Sequence, residues 1–306
     1  MNSDNRFIYT VNKFSHLLHL LNEYTDLCNL WTTTPTIWNF SDRKILCYLK
    51  LKSSDESRDF VRSEVFRTHI ISLVSNPKKQ ISLNLSDCSE IADINSLGNM
   101  HTLDLSRCWR IMDVSCLENV HTLILSGCHR ITDVSSLGSV QILNLSGCWR
   151  ITDVSSLGNV HTLILSGCHK MRDVSSLGNV HTLDLSGCWR LSDVNSLGNV
   201  HTLNLSYCQG ITNVSTLGNV NTLILSGCHK IINVSSLGNV HTLDLSCCYG
   251  ITDVSSLGNV HTLNLSCCYG ITDVSSLGKQ HTLNLSYCFR ITDVSSLTNV
   301  KILHFY

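Results

Sequence analysis

One unit of 20 residues occurs eleven times between Ile81 and Val300 without an insertion or deletion, and this periodicity limits the fold more than any other feature of the chain. A unit of this length buries too little apolar surface to fold alone, so each unit must stack on its neighbours. Self-similarity at a fixed short period is the sequence signature of a solenoid. The sequence therefore predicts a quasi-one-dimensional stack rather than a globular core.

Within the unit, numbered 1 to 20 from position 81, the apolar positions predict a short strand followed by a turn. Positions 3 and 5 are Leu in every copy, which is the two-residue alternation of a strand with one buried face. Position 8 is always Cys, and positions 11, 14, 17 and 20 are almost always apolar, giving seven inward-facing positions. Asp or Asn at 13 and Gly at 18 predict a helix cap and a helix stop around one 3₁₀ or tight turn.

The repeated string Leu-x-Leu-x-x-Cys-x-x-Ile-Thr-Asp resembles the cysteine-containing leucine-rich repeats. The units are shorter than in that family, and the Asp-Val-Ser-Ser-Leu segment in place of a convex helix is similar to the internalin-like class. The resemblance implies an α/β leucine-rich-repeat solenoid of eleven strand–turn units over residues 81–306. With strands about 4.8 Å apart, the stack would be roughly 50 Å long.

Residues 1–80 are predicted to form a separate, mainly helical cap region. The helical pattern at 14–31 and the residues Leu27, Leu30 and Trp38 resemble the later part of an F-box, although the Leu-Pro entry of that motif is absent. The resemblance implies that these three residues contact a cullin-ligase adaptor. The alternative is a helical cap over the first repeat, which solenoids require in any case. Residues 45–51 alternate like a strand.

Charge and cysteine usage predict an intracellular protein of the reducing cytoplasm. The chain has 22 basic and 23 acidic residues, which is not the basic footprint of nucleic-acid binding. No apolar run reaches about 18 residues and no signal-peptide pattern opens the sequence, so neither a membrane span nor secretion is expected. Eleven of the 16 cysteines occupy one inward position, where Cys acts as a small buried hydrophobe.

Enzyme, metal and cofactor motifs are not found. Position 13 changes from Asp to Asn at Asn213 and Asn233, which a cap tolerates and a catalytic carboxylate does not. The column of His at position 1 lacks the close-spaced ligand pairs of zinc sites, and no phosphate loop or hydrolase motif occurs. The vicinal pairs Cys247-Cys248 and Cys267-Cys268 are interpreted as position 7 tolerating a small residue, with redox activity as the alternative.

The positions that vary between copies predict a binding surface. Position 9 is often aromatic, position 10 is basic in repeats two to six, and position 4 points outward from the strand. Trp, Tyr and Arg are the usual anchors of protein interfaces, although the same residues can cover a solenoid edge through cation–π contacts. The predicted partner-binding residues are Trp109, Arg110, Ile124, His129, Arg130, Trp149, Arg150, Ile164, His169, Trp189 and Arg190.

These features favour a protein–protein interaction scaffold and, in a more specific form, a ubiquitin-ligase substrate receptor. An internalin-like adhesin is the alternative from another class, and an enzyme is disfavoured because no catalytic motif occurs. The partner itself is not encoded in a recognisable motif.

Overall fold

A computed structural model describes residues 47–50 and 81–305, which form one parallel sheet of 13 strands in sequential order. The strands are β1 (Cys47–Lys50), β2 (Ile81–Asn84), β3 (Thr102–Asp104), β4 (Thr122–Ile124), β5 (Ile142–Asn144), β6 (Thr162–Ile164), β7 (Thr182–Asp184), β8 (Thr202–Asn204), β9 (Thr222–Ile224), β10 (Thr242–Asp244), β11 (Thr262–Asn264), β12 (Thr282–Asn284) and β13 (Ile302–His304). The leucine-rich-repeat solenoid predicted from the sequence is confirmed.

A 3₁₀ segment lies between successive strands from β2 onward and replaces the convex helix of longer repeats. These segments are Asn95–Leu97, Ser115–Leu117, Ser135–Ser139, Ser155–Asn159, Ser175–Asn179, Asn195–Asn199, Leu217–Asn219, Ser235–Asn239, Ser255–Leu257, Ser275–Leu277 and Ser295–Asn299. The segment is short because only a few residues separate the buried position 14 from the buried position 20.

The register places equivalent residues of neighbouring repeats side by side. Leu143 of β5 pairs with Leu163 of β6, and the same pairing recurs along the sheet. The ladder continues past the strands, since the Leu145 amide donates to the Ile164 carbonyl at 2.8 Å. Because every unit has 20 residues, no repeat shifts this register.

All seven predicted inward positions are buried throughout most of the stack. In repeat four they are Leu143, Leu145, Cys148, Ile151, Val154, Leu157 and Val160. They form one continuous core in which each repeat covers the next. One inward position is polar: Gln280, at a position that is Val in nine repeats, is also buried.

The sequence predicted that Asp at position 13 would be the N-cap of the 3₁₀ segment, but it lies one residue before the N-cap. The residue in the N-cap place is position 14, such as Val154, and it makes no side-chain cap bond. Asp153 instead accepts a hydrogen bond from the Ser155 amide, with Oδ1 2.9 Å from the nitrogen. Asn213 accepts the equivalent bond from Ser215 at 3.0 Å, which explains why Asn replaces Asp freely here.

Gly at position 18 does not serve mainly as a helix stop, because several 3₁₀ segments run through it. A Cβ added to Gly158 would overlap the Ser176 carbonyl oxygen of the next repeat, well inside van der Waals contact. Contacts this short do not occur between real atoms without movement of the backbone. The close approach of neighbouring turns therefore favours glycine here, although repeat two carries Glu118 at the same position.

Position 7 is defined by backbone conformation rather than by small size, which corrects the sequence-based interpretation. All eleven residues at this position have positive φ, from 57° at Cys247 to 77° at Gly127. Glycine suits this left-handed region, but Arg107, Tyr207 and Tyr287 adopt it too. The peptide N–H at position 7 donates to the position 6 carbonyl of the next repeat, as from Gly147 to Ser166 at 2.8 Å.

At the N-terminal end, β1 confirms the strand expected within residues 45–51 and pairs in parallel with β2. The helical cap, the F-box-like segment and its residues Leu27, Leu30 and Trp38 lie outside the described residues. Within residues 47–50 and 81–305, no helix is long and apolar enough to cross a bilayer.

Candidate partner-binding surface

The predicted aromatic and basic residues line the edge of the solenoid just past the strands. The left-handed residue at position 7 turns the chain outward, Cys at position 8 returns to the core, and positions 9 and 10 then emerge at the surface. Trp109, Trp149 and Trp189 are 43%, 39% and 48% exposed. We call positions 9 and 10 of repeats two to six the ridge, which comprises Trp109, Arg110, His129, Arg130, Trp149, Arg150, His169, Lys170, Trp189 and Arg190.

Trp149 lies at the centre of the ridge and has the most ring contacts within it. The cationic groups of Arg150 and Lys170 lie 5.5 and 5.3 Å from its ring centroid. The His129 ring stacks on it at 6.4 Å with planes 11° apart. Both cations fall within the range of cation–π attraction. The indole is therefore held in a fixed orientation while much of it remains open to solvent.

The flanking tryptophans have fewer partners. Arg190 lies 4.9 Å from the Trp189 centroid, and the His169 ring tilts against the same indole at 6.0 Å. Arg110 lies 6.0 Å from the Trp109 centroid. The guanidinium of Arg110 is also bound to Glu90 at 2.9 Å, so its charge is partly compensated.

The two histidines of the ridge are anchored to the backbone. His129 Nδ1 lies 2.9 Å from the Gly127 carbonyl oxygen, and His169 Nδ1 lies 3.2 Å from that of Gly187 in the next repeat. A carbonyl oxygen only accepts, so Nδ1 must carry the proton in both rings. These bonds orient the imidazoles beside the tryptophans.

Position 10 gives the ridge a strong positive charge. It is basic in five consecutive repeats, at Arg110, Arg130, Arg150, Lys170 and Arg190. Among the residues that the structure describes, only Arg110 of these five forms a salt bridge. At strand spacing of about 4.8 Å the row places like charges close together along one edge.

Ile124 and Ile164 lie on β4 and β6, on the face that adjoins the ridge, and are half-buried. The sequence analysis treated the outward position 4 as a variable position of the binding surface. Asn or Asp at this position also has a structural role, because its side chain bonds to the chain two residues later. Asn144 Oδ1 accepts hydrogen bonds from the amide and the hydroxyl of Ser146, at 2.9 and 2.6 Å. Ile124 and Ile164 cannot make these bonds, and they present apolar surface instead.

A second set of aromatic residues in the same column was not predicted as a site. His229 stacks on Tyr249 at 4.6 Å, Tyr249 on Tyr269 at 5.2 Å, and Tyr269 on Phe289 at 6.3 Å. We call these four residues the C-terminal aromatic stack. The signal was present in the sequence, since all four stand at position 9. Unlike the tryptophans of the ridge, the two tyrosines are followed by Gly rather than Arg at position 10.

The histidines at position 1 form a separate column on the strands. Successive rings stack at 4.6 to 4.7 Å, as between His161, His181 and His201. Burial and the neighbouring His121 lower the pKa of His101. Burial and then His241, His281 and Lys301 lower the pKa of His261. Across residues 81–305, no three His, Cys, Asp or Glu side chains are grouped to hold a metal ion.

Comparisons with known proteins give the fold. No protein-family model matches the chain. No curated protein matches the sequence. An internalin, InlF, from Listeria monocytogenes has a TM-score of 0.54 and 20% identity, covering 74% of this chain and 79% of that one.

Two further solved structures share less of the geometry. An LRR protein from Leptospira interrogans has a TM-score of 0.47 and 17% identity over 78% of this chain and 74% of that one. The functional domain of InlJ from Listeria monocytogenes, which includes a cysteine ladder, has a TM-score of 0.39 and 18% identity over 74% and 62% of the two chains. The likeness to InlF, together with the strand order and register, identifies the described region as a leucine-rich-repeat solenoid.

Proposed function

We propose that this chain is a protein-interaction scaffold whose partner docks along the ridge. The observation that carries the proposal is the environment of Trp149, which is oriented by Arg150 and Lys170 yet remains 39% exposed. Tryptophan and arginine are enriched among the residues that dominate binding energy at interfaces. A pre-oriented aromatic ring loses little conformational entropy when a partner covers it.

The charge of the ridge supports a partner surface that carries carboxylates. Arg130, Arg150, Lys170 and Arg190 make no salt bridge among the described residues, and they are aligned along the same edge. An acidic partner would relieve their mutual repulsion and steer association. Half-buried Ile124 and Ile164 would add apolar contact on the adjoining strands. We expect association to slow as ionic strength rises.

The test compares partner recovery by the full chain with recovery by matched variants. The unmutated chain, Trp149→Ala and Tyr269→Ala serve as baits, and bound proteins are quantified by mass spectrometry. We expect a partner whose affinity falls about tenfold or more with Trp149→Ala, equivalent to roughly 1.4 kcal/mol, and changes less with Tyr269→Ala.

Thermal melts of the same variants distinguish binding from packing. A Trp149→Ala variant that melts lower and keeps its partner affinity would mean that the ridge only covers the solenoid edge, and the proposal would be wrong. A variant with an unchanged melt and weakened binding supports the proposed interface.

A more specific form of the proposal is a ubiquitin-ligase substrate receptor that binds a cullin-ligase adaptor through Leu27, Leu30 and Trp38. It is supported only by the F-box-like sequence of the N-terminal region. Leu27→Asp and Trp38→Ala should abolish co-purification with the adaptor and leave the melt of the repeats unchanged. If the unmutated chain binds no adaptor, the segment is a cap.

An internalin-like adhesin is the second candidate, supported by the fold likeness to a Listeria internalin. The two candidates differ in compartment, because an adhesin must reach the cell surface. We favour the cytoplasmic form, supported by the buried thiols from Cys108 to Cys288, which form no disulfide among the described residues and suit a reducing environment. Fractionation of the source cells, with the chain detected by antibody, separates the two: recovery at the outer surface would overturn the cytoplasmic assignment.

A further inference from the structure

Two cysteines outside the buried column lie side by side on neighbouring repeats. Cys247 and Cys267 occupy position 7 of repeats nine and ten and are both half-exposed. Each has a buried cysteine as its sequence neighbour, Cys248 and Cys268. The sequence alone therefore offers two possible pairings, within each vicinal pair or across the two repeats.

The local geometry opposes the vicinal pairing. Cys248 and Cys268 face the core, where their thiols donate to the carbonyl oxygens of Leu225 and Leu245 at 3.2 and 3.1 Å. The preceding cysteines have positive φ and turn outward instead. The two thiols of each vicinal pair consequently point to opposite sides of the chain.

The cross-repeat pairing is favoured by the register of β10 and β11, in which Asp244 is paired with Asn264. Beyond the strands the Cys247 amide donates to the Ser266 carbonyl at 2.8 Å, which keeps Cys247 level with Cys267. Strands lie about 4.7–4.9 Å apart, within the roughly 4.4–6.8 Å that a disulfide requires between Cα atoms. The two side chains already interact, since burial and then the proximity of Cys267 raise the pKa of the Cys247 thiol.

We propose that Cys247 and Cys267 form a redox-active dithiol that closes reversibly to a disulfide joining repeats nine and ten. The oxidant is a small disulfide such as glutathione disulfide. The thiolate of one cysteine attacks a sulfur of the reagent, breaks its S–S bond and releases one glutathione. The second thiolate then attacks the mixed disulfide, forms the Cys247–Cys267 bond and releases the other glutathione. Two protein thiols are oxidised, one reagent disulfide is reduced, and both thiol protons pass to the glutathiones.

The bond should be easily reduced. Both cysteines have nearly the same φ, 57° and 60°, so their Cβ atoms point the same way and remain about as far apart as the Cα atoms. A relaxed disulfide brings the Cβ atoms to about 3.8 Å, so the two turns must lean together. Strained and exposed disulfides have more oxidising potentials and are the labile ones.

Closure would act on the C-terminal aromatic stack. Tyr249 and Tyr269 follow the two cysteines by two residues, and their rings stack at 5.2 Å. Drawing the two turns together therefore restricts the spacing of this stack. The inference is independent of the proposed ridge function, because it concerns repeats nine and ten.

The experiment maps the bond in the intact protein. The purified full chain is incubated with glutathione disulfide, free thiols are blocked with iodoacetamide, and the product is digested with chymotrypsin. Trypsin is unsuitable because residues 231–279 contain all four cysteines and no internal Lys or Arg. We expect a peptide that joins Cys247 to Cys267, formed in most chains and lost again on addition of reduced glutathione.

Cys247→Gly is the matched variant, because glycine occupies position 7 in five other repeats and fits the left-handed turn. In this variant Cys267 should be recovered as a mixed disulfide with one glutathione. A link within either vicinal pair, separate glutathionylation of both cysteines in the unmutated chain, or no oxidation at either cysteine would each overturn the proposal. Circular dichroism of each variant verifies that the solenoid is folded.

Discussion

The Cys148 thiol donates a hydrogen bond to the Leu125 carbonyl, with Sγ 3.2 Å from an oxygen that belongs to a residue 23 positions earlier. Equivalent bonds recur from Cys108 to Cys288, so the thiol column joins every repeat to the one before it. The same Leu125 oxygen also accepts a hydrogen bond from the Cys128 amide of its own repeat, at 3.0 Å. Cysteine is therefore both a core residue and a link between repeats.

Alkaline pH should destabilise the solenoid through these thiols. Burial raises the pKa of Cys148 to about 12, above its ordinary value of 9.0. The unfolded chain then loses protons first as pH rises, so stability is full below about pH 9 and falls above it. Ionisation of Cys148 alone lowers the free energy of unfolding by up to about 1.4 kcal/mol per pH unit in that range. Thermal melts from pH 8 to 10 should show this loss, and Cys148→Ala should reduce its slope. A midpoint independent of pH over that range would contradict it.

Acid should act through the histidines at position 1. The folded-state pKa of His261 is lowered, by burial first and then by His241, His281 and Lys301. The unfolded chain binds more protons below about pH 6.5, so stability is kept above that pH and lost as pH falls through it. We expect the denaturation midpoint to fall between pH 7.5 and 5.5. The test variant is His261→Gln, because Gln141 stands at the same position of repeat four. It should weaken the pH dependence of the denaturation midpoint. An unchanged pH dependence would mean that other groups cause it.

Replacing Gln280 should stabilise the protein. Its Nε2 donates to the Leu257 carbonyl at 3.0 Å, but its buried Oε1 has no hydrogen-bond partner among the described residues. An unsatisfied buried acceptor costs about 1–3 kcal/mol. Gln280→Met keeps a similar side-chain length, and Met100 already stands at this position in repeat one. We expect a higher urea midpoint with an unchanged m-value. A lower midpoint would show that the amide is better satisfied than its contacts indicate.

The carboxylate of Asp153 should be replaceable by an amide but not by a methyl group. Its bond to the Ser155 amide lowers the pKa of Asp153, and Asn213 and Asn233 make the same bond elsewhere. Asp153→Asn should be close to neutral at pH 7, whereas Asp153→Ala should lower the denaturation midpoint, because the Ser155 amide then loses its side-chain acceptor. Chemical denaturation of both variants measures the difference. Equal losses would mean that the side chain, not its hydrogen bond, matters.

The fold was readable from the sequence because its information is local and repeated. Positions 3, 5 and 8, which are Leu143, Leu145 and Cys148 in repeat four, carry the same residue types in every copy and face the core. The buried face, the strand and the stacking direction therefore follow from one unit and its period. The exposed Trp109, Trp149 and Trp189 were likewise predictable, because aromatic residues that vary between otherwise similar copies have no fixed place in the core.

Only the tertiary structure decided the features that depend on contacts between residues of neighbouring repeats. Tyr207 and Cys247 adopt the left-handed conformation because the amide at position 7 must reach a carbonyl of the following repeat. The nearby carbonyl oxygen of Ser176 favours glycine at Gly158, and Lys170 lies beside Trp149 of the repeat before it. Likewise, Cys247 faces Cys267 rather than its sequence neighbour. These relationships join residues about 20 positions apart, and stacking alone brings them within contact distance.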